Sequence, residues 1–196
     1  MLSLYMQQVL GYSAMQTGVG YLAVALTAVA AAGASQALVT KVGVKPVLIV
    51  GMVLLGLGLA FFSQVSVGGS YVADLLPGFL LICVGMGFSF VPISIAALAG
   101  ITSTEAGLAS GLINTSQQIG GALGIAALSA IATSTTTSDL SSGTSPAFAL
   151  TNGFQDAFIA GAIIAFVGVL VSVFVVSRRD LTEEVPEAEP AFEQAA

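Results

Sequence analysis

Residues 105–126 read EAGLASGLINTSQQIGGALGIA, a stretch that sets polar groups in the centre of an apolar segment. At about 100° of rotation per residue, a helix here has two faces. Ser110, Asn114, Gln117, Gln118 and Gly121 share one stripe with Gly107, Gly111 and Ser129. Leu108, Leu112, Ile119, Leu123 and Ala126 take the opposite side. Two settings suit such a helix. In the first, the small residues of GLASG and GGALG (Gly107, Gly111, Gly120, Gly124) let a neighbouring helix approach closely, and the amides bond across the seam. In the second, the stripe faces a water-filled path or a domain interface. Asn114 and Gln118 lie roughly 14–20 Å along the helix from Glu105, near the middle of a bilayer. Carriers hold their substrates at that depth.

The rest of the chain supplies the bilayer. Of 196 residues, 56% are hydrophobic and 7% charged, with a mean hydropathy of +1.01. Soluble domains carry about 25% charged residues, so this chain cannot cover a water-facing surface. The net charge of −6 comes from Asp180, Glu183, Glu184, Glu187, Glu189 and Glu193; without them, four acids balance four bases. A basic nucleic-acid footprint is missing. Histidine is absent and Cys83 is the one cysteine, which argues against Ser-His-Asp chemistry and His metal sites. Neither a P-loop nor a Gly-x-Ser-x-Gly elbow occurs. No catalytic, cofactor-binding or metal-ligating residues are expected.

Charges punctuate the chain at bilayer spacing, and a spanning helix needs about 20 apolar residues. Five segments qualify: 18–40, 46–64, 73–99, 106–132 and 154–177. They lack β-barrel alternation, so the expected fold is an all-α polytopic membrane bundle. Residues 1–10 are apolar but too short to span, and no Lys or Arg precedes Lys41 to make a secretory signal. They are expected to be the outer end of a truncated first helix. Residues 180–196, with Pro and many acids, are expected to be a disordered cytoplasmic tail.

Orientation follows from the bases. Lys41 and Lys45 share one connection, and Arg178 and Arg179 follow the last span. Four spans separate the two places, so both are expected on one side, the cytoplasm, by the positive-inside rule. GYSAMQT, VSVGGSY and the long TSTTTSDLSSGTSPAFALTNG are then external loops. Tyr5, Tyr12, Tyr21 and Tyr71 fall near the outer interface, as an aromatic belt does. Within 73–99, Pro92 cannot donate to the carbonyl of Phe88, so a kink is expected there.

LSLYMQQVLGYSAMQTGVGYL, VGVKPVLIVGMVLLGLGLAF, LLPGFLLICVGMGFSFVPISIAALAGI and EAGLASGLINTSQQIGGALGIAALS together resemble the C-terminal half of major facilitator superfamily transporters. The nearest branch is the fourteen-span drug:proton antiporters, which include multidrug exporters. The resemblance covers nearly all of residues 1–179 and implies a six-helix half of a pseudo-symmetric carrier. VTKVGVKP resembles a worn copy of the family's cytoplasmic loop motif: Gly43 and Lys45 match, and Thr40 stands where an Asp would be. Ala23 replaces a Pro of many relatives, and Gln117 an Arg of some.

Proton coupling needs a buried ionisable group. None lies deep in any span here; Asp74, Glu105 and Asp156 are all at interfaces. The family keeps its coupling carboxylates largely in the N-terminal half. The resemblance therefore implies a fragment of a proton-coupled exporter of drugs or other small amphipathic molecules, in the plasma membrane. Its partners would be lipid, the missing N-terminal half, substrate and protons. The competing expectation is a stand-alone membrane scaffold or a half-carrier that dimerises.

Overall fold

A computed structural model describes residues 2–8, 10–67, 74–102 and 104–175. It contains six helices: α1 (Leu2–Gln8), α2 (Ala14–Val42), α3 (Val44–Phe62), α4 (Leu76–Leu98), α5 (Ala106–Ser141) and α6 (Pro146–Val175). Every one except α1 is long and apolar enough to cross a membrane. No strand occurs among the described residues. The expected acidic tail, Arg178, Arg179 and Tyr71 lie outside the described residues.

Local chemistry sets the helix ends. Ser13 and Gln16 form a reciprocal capping box, each side chain bonding the other's backbone N–H. That box starts α2 at Ala14, four residues before the span expected from hydropathy. Gly43, at φ +88°, ends α2 and begins α3 in one residue, a corner that an L side chain strains to make.

A larger departure concerns residues 133–153, expected as an external loop. Here α5 runs on to Ser141 and α6 already begins at Pro146, leaving only residues 142–145 as a connection. Two helices prolong each other because their facing polar groups pair. Asn152 donates to the Asp139 carboxylate at 2.7 Å, Thr135 to Asp156 at 2.8 Å, and Thr136 to the Ala149 carbonyl at 3.2 Å. Gly153 lets the two backbones meet, since a Cβ there would strike Thr136 Oγ1 and the Ala132 carbonyl. Pro146 suits a first helical turn, where its missing N–H is no loss.

The bundle is centred on α3 and α4. Lipid tails are as apolar as leucine, so helices associate by close packing rather than by escape from water. The seam shows it. A Cβ on Gly51 would lie 2.6 Å from the Phe88 carbonyl carbon, and one on Gly85 2.7 Å from the Leu55 nitrogen. Gly58 sits against Ile82, and Gly87 carries the other face of α4 onto Ala31 of α2. On the far side, Gly56 meets the Phe166 ring and Gly168 meets Met52, which seats α6 on α3. Pro92 is buried inside α4, which continues through it as one helix to Leu98. The Phe88 carbonyl that Pro92 leaves without its helical donor is the one packed against Gly51.

One end of the bundle holds an aromatic cluster. Phe62 packs on Phe79 and Phe158 at centroid distances of 5.3 and 5.5 Å, and Tyr5 of α1 meets Phe154 edge-on at 6.2 Å. The Tyr5 hydroxyl donates to the Ser66 carbonyl at 2.7 Å. Tyr12 and Tyr21 pack around the same cluster. Of the tyrosines expected in a belt, Tyr5 is fully buried among neighbouring helices, and Tyr12 and Tyr21 are half-buried. At the opposite end, Lys45 donates to the Val173 carbonyl at 2.7 Å, which brings the start of α3 to the end of α6.

Candidate functional site

Helix α5 is anchored at one end only. From Leu128 outward it lies on α6, through Leu128 near Gly161, Ala132 against Gly153 and the polar pairs described above. From Gly107 to Ala127 it stands largely clear of the bundle. Leu108 is 79% exposed and Leu123 67%. On the opposite face, Ser110, Asn114, Gln117, Gln118 and Gly121 are all exposed too. The helix itself is sound, with Thr115 donating back to the Gly111 carbonyl at 2.8 Å.

The glycines of this helix do not serve as contacts within the chain. A Cβ at Gly107, Gly111, Gly120, Gly121 or Gly124 would meet nothing within 4 Å. Close approach falls instead to Gly51, Gly58, Gly78, Gly85, Gly87, Gly153 and Gly168, none of which stands in the two motifs singled out in the sequence. A visible signal for them was spacing: Gly51, Gly58, Gly78 and Gly85 recur at seven-residue intervals within α3 and α4, which puts each pair on one helix face.

The physical consequence is a helix that its own chain leaves uncovered on two chemically different faces. The leucine face suits lipid. The amide face does not, because an amide moved into hydrocarbon without a hydrogen bond costs roughly 4–8 kcal/mol. Inside a bilayer, Asn114, Gln117 and Gln118 would need water or a second protein surface against them.

At the α5–α6 turn end of the bundle, α1, α5 and α6 surround a cup of about 310 Å³ lined by Leu4, Gln8, Ser129, Ala132, Thr133, Thr136, Thr137, Leu150 and Phe154. Its α5 residues begin about two turns beyond Gly121 and end more than four turns beyond it. Its mixture of hydroxyls and apolar walls was missed in the sequence because the threonines looked like loop. Of the loop motif, Gly43 makes the α2–α3 corner and Lys45 caps the end of α6. A cation is favourable at that helix end, where carbonyls point outward. Among the described residues no cluster of potential metal ligands occurs.

Five helices long and apolar enough to span, four of them (α2, α3, α4 and α6) packed as a core and α5 standing apart from Gly107 to Ala127, make an all-α membrane bundle. The sequence profile of the Major Facilitator Superfamily matches residues 1–125, more than half of the chain, and the chain belongs to that family. It is thus a multi-pass membrane protein of a transporter family and not an enzyme. Its relatives include the puromycin resistance protein of Streptomyces alboniger, 30% identical over 195 residues, covering 95% of this chain and 39% of that protein. The cephamycin export protein of Amycolatopsis lactamdurans is 34% identical over 163 residues, 83% of this chain and 32% of its own. A multidrug resistance protein B homolog of Mycobacterium tuberculosis is 34% identical over 130 residues, 66% of this chain and 24% of its own. The chain thus spans between about a quarter and two fifths of the length of these relatives.

Proposed function

We propose that this chain is one wall of a secondary carrier that exports small amphipathic molecules, and that it works against the N-terminal half of a longer transporter. The observation that carries the reading is the amide stripe of α5, exposed and uncovered by its own chain; midway along a spanning helix, it would stand at the depth where carriers bind substrate. A second half supplies what the stripe lacks: an opposing protein face and a water-filled gap between the two. Asn114 and Gln118 then line the path, with Ser110, Gln117 and Gly121 at its edges. Uncharged amides on an apolar wall accept ligands of varied shape, which agrees with relatives named for puromycin, cephamycin and multidrug resistance.

The coupling ion is the proton, and the group that takes it lies outside this chain. A coupling site needs an ionisable side chain deep in the membrane; the acids within the described helices, Asp139 and Asp156, lie in the paired α5–α6 segment and are already bonded to Asn152 and Thr135. The carrier sits in the plasma membrane with Lys41, Lys45, Arg178, Arg179 and the C-terminus in the cytoplasm.

The test is transport in vesicles. The chain alone should give no pH-driven efflux of a fluorescent dye, and the chain joined to its N-terminal half should restore it. Robust pH-driven efflux by the purified chain alone would reject the two-wall reading in favour of a dimerising half-carrier.

A further inference from the structure

The chain holds four bases in all, Lys41, Lys45, Arg178 and Arg179. Lys41 and Lys45 stand two residues either side of the Gly43 corner, and the bond from Lys45 to Val173 brings the last turn of α6 to the same place. Arg178 and Arg179 follow Val173 by five and six residues in sequence. Beside Lys45, an open groove of about 520 Å³ runs along Pro46, Ile49 and Val50. It begins at a cation and continues one turn into an apolar span.

The Lys45 ammonium has three protons and no acceptor capacity. One proton goes to the Val173 carbonyl. Among the described residues no carboxylate pairs with it. Two donors and a full positive charge therefore stand at the mouth of an apolar groove, where the ends of two helices long enough to span a membrane meet. We infer that this groove holds an anionic phospholipid, its phosphate on Lys45 and the start of an acyl chain along Pro46, Ile49 and Val50. The charge selects the headgroup. A zwitterionic lipid brings its own cation beside the phosphate and largely cancels the attraction, whereas an anionic one does not.

The chain contains no tryptophan, so Val50→Trp places a single reporter in the groove; Val50 is half exposed. In vesicles of phosphatidylcholine, brominated phosphatidylglycerol and brominated phosphatidylcholine are compared as quenchers at equal mole fraction. One basic residue near a membrane surface corresponds to about a fivefold preference for the anionic lipid. Val50→Trp should show a preference of that size. Lys45→Gln should abolish it and Lys45→Arg should keep it, with Cys83 equally resistant to a thiol reagent in both as a check on folding. Met15→Trp, at the opposite end of α2, should show none. Equal quenching by the two lipids at Val50→Trp overturns the inference. So does a preference that inorganic phosphate removes, which would make the site a free-anion site. A preference that emerges only after the six acids of residues 180–193 are neutralised would assign Lys45 to the chain's own tail, and would overturn it too.

Discussion

Replacing Gly51 by Ala tests the claim that the α3–α4 seam carries the bundle. The added Cβ would lie 2.6 Å from the Phe88 carbonyl carbon, 2.7 Å from its oxygen and 2.7 Å from Ser89 Oγ. Carbon atoms pack at about 3.5–4.0 Å, so the seam must open by roughly 1 Å. Ser89 can rotate, but the α4 backbone cannot. Opening also draws Gly85 away from Leu55 and Gly51, which undoes the reciprocal contact one turn along. Overpacking of this kind costs about 1–3 kcal/mol, and backbone clashes fall at the upper end. Ala is better than Gly in a helix by about 1 kcal/mol, which leaves a net loss of about 2. For a chain of this size, that lowers the unfolding midpoint by about 4–8 °C. Cys83 supplies the assay. It is the one cysteine, 2% exposed, and stands two residues before Gly85. Its reaction with a thiol dye on heating in detergent follows the opening of this seam. Gly121→Ala is the control, since its Cβ meets nothing within 4 Å; its midpoint should hold or rise. If Gly51→Ala melts with the unsubstituted chain, or with Gly121→Ala, the seam does not carry the stability assigned to it.

In a carrier that joins this chain to an N-terminal half, Asn114→Leu and Gln118→Leu should each cut dye efflux severalfold at normal membrane abundance. An interhelical hydrogen bond averages only about 0.6 kcal/mol, too little to unfold a bundle; normal efflux by both variants would assign the stripe to packing alone. Asp139→Ala should loosen the α5–α6 hairpin by about 1–2 kcal/mol, because it removes a charge-assisted partner of the part-buried Asn152. The same Cys83 melting assay reads this as a lowered midpoint, and an unchanged one would mean that solvent replaces the bond. In a Cys83→Ser background, Ser142→Cys should react with an impermeant thiol reagent in intact cells and Thr104→Cys should not. The reverse pattern would invert the orientation taken from the four bases.

Much of the architecture was legible because a bilayer asks a question that sequence answers locally. Twenty consecutive apolar residues either occur or do not, and charges between such runs mark their ends. That is why five spans and the two faces of α5 could be read without coordinates. Local capping chemistry was also present in the sequence: the Ser13–Gln16 pair and Ser145–Pro146 each mark a helix start that hydropathy placed several residues late.

The tertiary structure decided what depends on which face meets which. The Gly-rich motifs of α5 looked like packing surfaces, yet within this chain those glycines touch nothing, and Gly51, Gly58, Gly78 and Gly85 make the close contacts. A small residue permits approach, but only the arrangement of the other helices determines whether a partner arrives. The threonine-rich segment after Ala132 looked like loop, because β-branched residues are modest helix formers. It is helix because Asp139, Thr135 and Thr136 each find a partner on α6, at separations of 13 to 21 residues. Lys45 reaches a carbonyl 128 residues away. Composition and period act within one helix, whereas these contacts join different helices, so only the assembled bundle fixes them.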